Sequence, residues 1–211
     1  FCDFDGTFSV QDVGSTIAMQ QVGDRRPAVN ARFRKGEITA WESNMELLDG
    51  LVFSKSQLEA FLHTIDLDSG AIDLVRWCAS RKIFFEILSD GFDYNLDRLQ
   101  EIHGVKFRYA ANRLRIHDGR WQIEAGSPNP DCTCGTGTCK WSWIQAYRAK
   151  NPGVVCVHIG NGQVSDLCGA LAADVAFAKD TLAPALAARG ESYEDFNSLS
   201  DVVATLERWG L

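Results

Sequence analysis

The feature that most constrains this chain is the alternation of short apolar runs with helical patterns. Apolar runs fall at 1–4, 83–88, 154–159 and 175–178, and helix-like spacing fills 71–82, 94–102, 141–150 and 166–173. Strands alternating with helices of this length imply βαβ units, hence an α/β fold with a parallel sheet and helices on both faces. In such sheets ligands gather at the carboxyl ends of the strands. Asp3, Ser89 and Asn161 are all expected at those ends.

Residues 12–68 break the alternation and read as helix after helix. Thr39-x-x-Glu42 and Ser54-x-x-Gln57 are capping-box signatures ahead of apolar periodic stretches, and Gly23, Pro27 and Gly36 punctuate the run. The expected organisation is a core of 1–11 and 69–211 with a small helical cap, 12–68, inserted after the first strand as a lid over the strand ends. Within 107–124 the pattern alternates around His117-Asp118-Gly119-Arg120, a β-hairpin signal. Residues 200–209 read as a closing amphipathic helix, and no internal repeat, low-complexity tract or long linker interrupts the chain.

With 211 residues and 45% hydrophobic content, the chain can bury a full core as one domain with an insertion. A net charge of −7 argues against nucleic acid or an anionic membrane as the main partner. No apolar stretch approaches the roughly 20 residues of a membrane span, and no signal-peptide pattern opens the chain, so a cytoplasmic protein is expected. The chain lacks an initiator Met and starts inside an expected strand, so upstream residues are expected to precede Phe1.

Phe1-Cys2-Asp3-Phe4-Asp5-Gly6-Thr7 delivers two carboxylates two positions apart. On an extended strand i and i+2 share a face, so Asp3 and Asp5 can converge. One carboxylate can attack phosphorus to form an aspartyl-phosphate while its neighbour handles protons. Paired anions also suit a hard cation such as Mg2+. The same residues equally suit a polar turn.

Ser89-Asp90-Gly91 ends a strand with a hydroxyl and a Gly, a phosphate cradle or simply a turn with an N-cap. Lys140 starts a helix, where a cation opposes the dipole; an anion nearby would give it a reason, and a solvated surface lysine is the alternative. His158-Ile-Gly160-Asn161-Gly162, followed by Asp166, offers an oxygen ligand, two glycines for close backbone approach and a carboxylate, with His158 expected to be a core residue turned away. Among seven cysteines, Cys2, Cys78, Cys156 and Cys168 sit in apolar stretches and read as core. Cys132, Cys134 and Cys139 share a Gly-rich polar loop, and C-x-C-x4-C without a fourth ligand nearby in sequence is not a zinc pattern, so they read as thiols, with a disulfide or a metal as alternatives.

Taken in order, D-F-D-G-T, S-D-G, a helix-opening lysine and G-N-G-x4-D resemble the haloacid dehalogenase (HAD) superfamily of aspartate-nucleophile phosphatases, in the branch with a small helical cap that includes phosphoserine phosphatase. C-D-F-D-G-T, the hairpin residues Tyr109-Ala-Ala-Asn-Arg-Leu, C-G-x-G-x-C-K and Phe177-Ala-Lys-Asp180 look like the methionine-salvage phosphatases that act on 2-hydroxy-3-keto-5-methylthiopentenyl-1-phosphate. The resemblance covers nearly the whole chain and implies a Rossmann-like core acting on a small phosphorylated metabolite; a monomer and a homodimer are equally compatible with the sequence.

By that resemblance Asp3 would be the nucleophile and a Mg2+ ligand. Asp5 would protonate the leaving oxygen, then activate water, with its carbonyl on the metal. Ser89, Asp90, Gly91 and Lys140 would bind phosphate, Asp166 would support Lys140 or ligate through water, and Asp12 would meet the substrate from the cap. Arg25, Arg26, Arg32 and Arg34 are cap cations that could meet a carboxylate or a second phosphate. An acid at Asp5 favours phosphate-ester hydrolysis over carbon–halogen cleavage. The fourth motif departs from the family, which has a metal-ligating Asp where this chain has Asn161. An amide oxygen can still hold Mg2+, but the site loses one negative charge. A weakened phosphate-ligand binding or regulatory protein is therefore one alternative reading, and a phosphoserine phosphatase or a phosphotransferase that passes the aspartyl-phosphate to an alcohol is another.

Overall fold

The computed structural model describes residues 1–210. Its centre is the opening segment. Cys2 bridges in parallel to Ile87 on one side and Ile159 on the other, with Cys2 N–H donating to the Glu86 carbonyl (3.0 Å) and Asp3 N–H to that of Ile159 (2.8 Å). The segment thereby joins two three-stranded sheets. On one side lie β1 (Glu86–Phe92), β2 (Arg108–His117) and β3 (Arg120–Glu124); on the other lie β4 (Val157–Gly160), β5 (Val175–Ala178) and β6 (Glu194–Asp195). Only β3 runs antiparallel, as the returning arm of the β2–β3 hairpin.

Successive residues of a strand face opposite sides, and the core divides accordingly. Ile87, Ile159 and Phe177 pack with Leu74 of α5 (Ala71–Ser80) and with Val202 and Leu206 of α10 (Leu199–Arg208). Leu88 and Ala110 pack with Ile144 of α7 (Lys140–Lys150) and Ala172 of α8 (Leu167–Ala172). Helix α6 (Asp93–His103) connects β1 to β2, and α9 (Leu182–Ala187) sets Leu182 and Leu186 against Ala176 and Ala178 of β5.

Four helices lie between the opening segment and α5: α1 (Val13–Gln21), α2 (Arg25–Arg34), α3 (Ala40–Leu48) and α4 (Lys55–Leu62). Thr39 and Ser54 form reciprocal capping boxes with Glu42 and Gln57 at the starts of α3 and α4. The two chain passages linking these helices to the sheet pair with each other, Ser9 bridging to Leu67 and Val10 N–H donating to the Asp66 carbonyl at 2.9 Å.

Several element edges differ from the sequence reading. The first run is extended only to Asp3; Asp5 is extended but Gly6 turns at φ 77°, and Ser9 N–H closes the loop onto the Phe4 carbonyl. The 83–88 run enters the sheet late, and β1 continues through Ser89, Asp90 and Gly91 to Phe92 with a register irregularity after Leu88. The 154–159 run is likewise strand only from Val157. Parallel strand ends are set by where a partner offers hydrogen bonds, and that partner is remote in sequence.

Candidate active site

The carboxyl ends of the opening segment, β1 and β4 meet under α1, α2 and α3, and between them lies a cavity of about 430 Å³. Asp3 and Asp5 line its floor with Gly91 and Asn161; Asp12 and Arg26 are among the lining residues on the helical side.

Asp3 is buried and is bonded by the ammonium of Lys140, itself wholly buried, which also bonds Asp166. The sequence alternative of a solvated lysine is therefore replaced by a buried cation between two carboxylates. Burial works against both charges. It pushes Asp3 up to about 7, helped by repulsion from Asp166 and only partly offset by Lys140. Burial would also favour a neutral amine, yet Asp166 and Asp3 raise Lys140 well above the ordinary lysine value. Asp166 is held below the usual carboxylate range, since Lys140 and His158 outweigh its own burial.

Asp5 takes a different environment two residues on. One carboxylate oxygen accepts from Val13 N–H (2.8 Å) at the start of α1, the other from Ser89 Oγ (3.3 Å). Burial, then the charges of Asp12 and Asp3, push its carboxyl well up. Ser89 Oγ in turn accepts from Gly91 N–H at 2.9 Å. Glycine at 91 lets these two side chains sit where they do: a Cβ there would lie 2.8 Å from Asp5 Oδ2 and 3.0 Å from Ser89 Oγ and would have to displace them. Gly6 plays the same part on the other side, where a Cβ would meet Asn161 Nδ2 at 2.5 Å.

Asp90 lies at the cavity edge, but its carboxylate accepts from Gly137 N–H (2.8 Å), Thr138 N–H (3.1 Å) and Asn112 Nδ2 (3.0 Å). That side chain ties the loop ahead of Lys140 to β1, and the Asp90 carbonyl accepts from Asn112 Nδ2 as well (2.6 Å). Asp12 caps α1 through Ser15 N–H (2.7 Å) while facing the cavity. Of the four arginines, Arg26 reaches the cavity and donates to Ser15 Oγ, whereas Arg32 is paired outside with Glu46.

Sequence reasoning missed three groups. His158 does not turn away from the site: its Nε2 is 3.1 Å from Asp166 Oδ1, with burial holding the ring's pKa down. Asp180, in left-handed backbone (φ 47°), accepts from Asn161 Nδ2 at 3.3 Å, and so places a carboxylate beside the residue that lacks one. Its sequence signals were its place at the end of the β5 run and its membership of the family-like stretch Phe177-Ala-Lys-Asp180, neither of which gave it a role. Asn112, which binds both Asp90 and Thr138, gave none beyond its hairpin position.

No family model matches the chain. It is 25% identical over 214 residues to a 2-hydroxy-3-keto-5-methylthiopentenyl-1-phosphate phosphatase of Bacillus mycoides, covering 98% of this chain and 94% of that one. A phosphoserine phosphatase of Archaeoglobus fulgidus is 33% identical over 122 residues, 56% of this chain and 35% of its own length. A solved phospho-aspartyl intermediate analogue of phosphoserine phosphatase superposes with a TM-score of 0.69 at 19% identity, covering 97% of this chain and 96% of that one.

The fold is that of the haloacid dehalogenase superfamily. On this HAD fold the named relatives are phosphatases. Of the motif residues read from the sequence, Asp3, Asp5, Asp12, Asp90, Gly91 and Asn161 line one cavity at the sheet's carboxyl edge, while Ser89, Lys140 and Asp166 are buried behind it and reach it through Asp5 and Asp3. Among the described residues no helix is long and apolar enough to cross a membrane.

Proposed function

We propose that the chain is a Mg2+-dependent phosphatase that hydrolyses a small phosphorylated metabolite through an aspartyl-phosphate on Asp3. The observation that carries this reading is the pairing of two unlike carboxylates on one cavity floor: Asp3 held by a buried ammonium, Asp5 by a hydroxyl and an amide. A carboxylate bonded to Lys140 is a poised nucleophile, whereas Asp5, with no cation bonded to it and its carboxyl pushed well up by burial, is suited to hold and give a proton. Asp3 attacks phosphorus, the ester bond to the leaving oxygen breaks, and Asp5 gives that oxygen its proton. Asp5 then takes a proton from water as the water attacks phosphorus, which frees Asp3 and releases phosphate. Ser89, Lys140 and the backbone N–H groups around Asp90 and Gly91 hold the transferring group; such positioning and charge stabilisation are what phosphoryl transfer chiefly requires.

The residues present fit a magnesium ion. Asp3, the Asp5 carbonyl and the Asn161 amide form an all-oxygen donor set of the kind hard cations take, and Gly6 lets the Asp3–Asp5 loop approach Asn161 closely. Bound there, the ion would neutralise phosphate oxygens. Asp180 beside Asn161 keeps a negative charge near the position where the family's Asp is missing.

Helices α1–α4 are proposed as a cap, 12–68, hinged where 8–10 pair with 66–68. Its polar cavity residues, Asp12 and Arg26 among them, suit a polar metabolite such as those named for the relatives. The test is phosphate release from a panel of phosphorylated metabolites with and without Mg2+. Release that requires Mg2+ and disappears in a folded Asp3→Asn variant is expected. Absence of release at saturating Mg2+ would favour the second reading, a phosphate-ligand binder weakened at Asn161; strong activity gained by Asn161→Asp would then support that explanation.

A further inference from the structure

The loop between β3 and α7 holds Cys132, Cys134 and Cys139, and the fold brings a fourth thiol, Cys168 at the start of α8, against them. The four sulfurs all lie within 4.8 Å of one another. Cys139 and Cys168 are buried; Cys132 and Cys134 are partly exposed. We propose that these four cysteines form a structural Zn2+ site.

A tetrahedral zinc–thiolate centre has Zn–S bonds of about 2.3 Å, which sets its sulfurs roughly 3.8 Å apart. The cluster needs only to tighten by about 1 Å or less to reach that geometry. Four converging sulfurs with no harder ligand among them select zinc over magnesium or calcium. Core packing does not account for the arrangement. The loop 131–138 is built of Asp, Thr, Gly and Cys, with no large apolar side chain to collapse around, yet Cys132 and Cys134 turn inward towards two buried thiols. Thr136 Oγ1 lies 3.3 Å from Cys134 Sγ, a polar neighbour of the kind that supports thiolate ligands.

The position gives the site a purpose. Cys139 directly precedes Lys140, and Cys168 lies two residues beyond Asp166. Zinc would fasten the start of α7 to the start of α8, the two elements that deliver the Lys140–Asp166 pair. The same loop reaches α3, where Trp41 N–H donates to the Gly135 carbonyl at 2.8 Å.

The full chain, purified under reducing conditions after growth with zinc, should carry about one zinc per chain by elemental mass spectrometry and keep it through dialysis against excess Mg2+. Replacing zinc by Co2+ should give the visible absorption of a tetrahedral ion together with thiolate-to-cobalt charge transfer. The partly exposed pair in a Cys132→Ser/Cys134→Ser variant is expected to lower zinc content at least tenfold. The proposal is overturned if the unmodified chain holds no zinc and all seven cysteines react as free thiols, if a disulfide among the four is found instead, or if iron occupies them. Metal content and spectrum do not depend on phosphate release, so failure here leaves the phosphatase reading untouched, and the reverse holds.

Discussion

Lys140 is the residue on which the cavity floor depends, because it is the buried cation between Asp3 and Asp166. Removing one member of a buried pair leaves the other charge uncompensated, at about 3–5 kcal/mol. Lys140→Met should therefore lower unfolding free energy by that order at pH 8 in urea titrations. The deficit should shrink towards pH 5.5, where Asp3 can take up a proton instead. The unmodified protein has a related pH dependence. Asp3 is raised to about 7 and Asp90 to about 6, each chiefly by burial, so the folded state binds more protons than the unfolded state between about 4 and 7. For a carboxylate shifted upward, stability is greatest below the unfolded pKa and falls as pH rises through the folded one. Asp166, shifted down, keeps its favourable contribution throughout this range. His158, whose ring burial holds below its ordinary value, works the other way below about 6.5, so the contribution of Asp3 is read by difference. Without divalent cations, stability should rise from pH 8 to pH 5 by at least about 1 kcal/mol more in the unmodified chain than in Asp3→Asn. Since Mg2+ competes with the proton on Asp3, its stabilising shift in Tm should be larger at pH 8 than at pH 6.

At the level of elements, the turn from β1 into α6 leaves no room for a side chain at Gly91. Gly91→Ala should cut kcat on the order of 100-fold by displacing Asp5 and Ser89, with Tm little changed; steady-state kinetics beside a thermal melt would separate the two effects. How much of this was legible beforehand follows from how local each signal is. The capping boxes at Thr39 and Ser54 and the Asp118-Gly119 hairpin turn satisfy their own hydrogen bonds within a few residues, and each reads directly from sequence. The convergence of Asp3, Ser89 and Asn161 followed from one rule about strand ends. What escaped depends on partners distant in the chain. The β1 boundary is set by β2, and Ser-Asp-Gly within a strand looks like a turn. Asp180 and Cys168 acquire their neighbours only through the β4–α8–β5 crossover. Helix α9 is six residues long and too brief for periodicity to show.

For the whole molecule, the question is how freely the proposed cap can move. One side is a hinge of two paired passages, but the other is strapped. The 50–53 segment pairs with the hairpin: Gly50 N–H donates to the Trp121 carbonyl (2.8 Å), Trp121 N–H to Leu51 (2.9 Å) and Phe53 N–H to Gly119 (2.9 Å). Trp121 itself is 2% exposed and donates its ring N–H to the Phe53 carbonyl, with its ring against both Phe53 of the insertion and Phe92 of β1. One indole therefore joins cap to core, and the β3 edge that carries it is covered by the cap. The strap holds the α3–α4 connection against β3; α1 and α2, which carry Asp12 and Arg26, are not held by it directly, although α2 is tied to α3 through Arg32 and Glu46. Trp121→Ala should cost about 3–5 kcal/mol of stability and release the strap. Hydrogen exchange should then accelerate across 40–62 far more than across α5, and KM should rise more than kcat falls, since the cavity floor stays in place. Equal acceleration in both regions would mean that cap and core open as one unit, with Trp121 serving general stability and not closure.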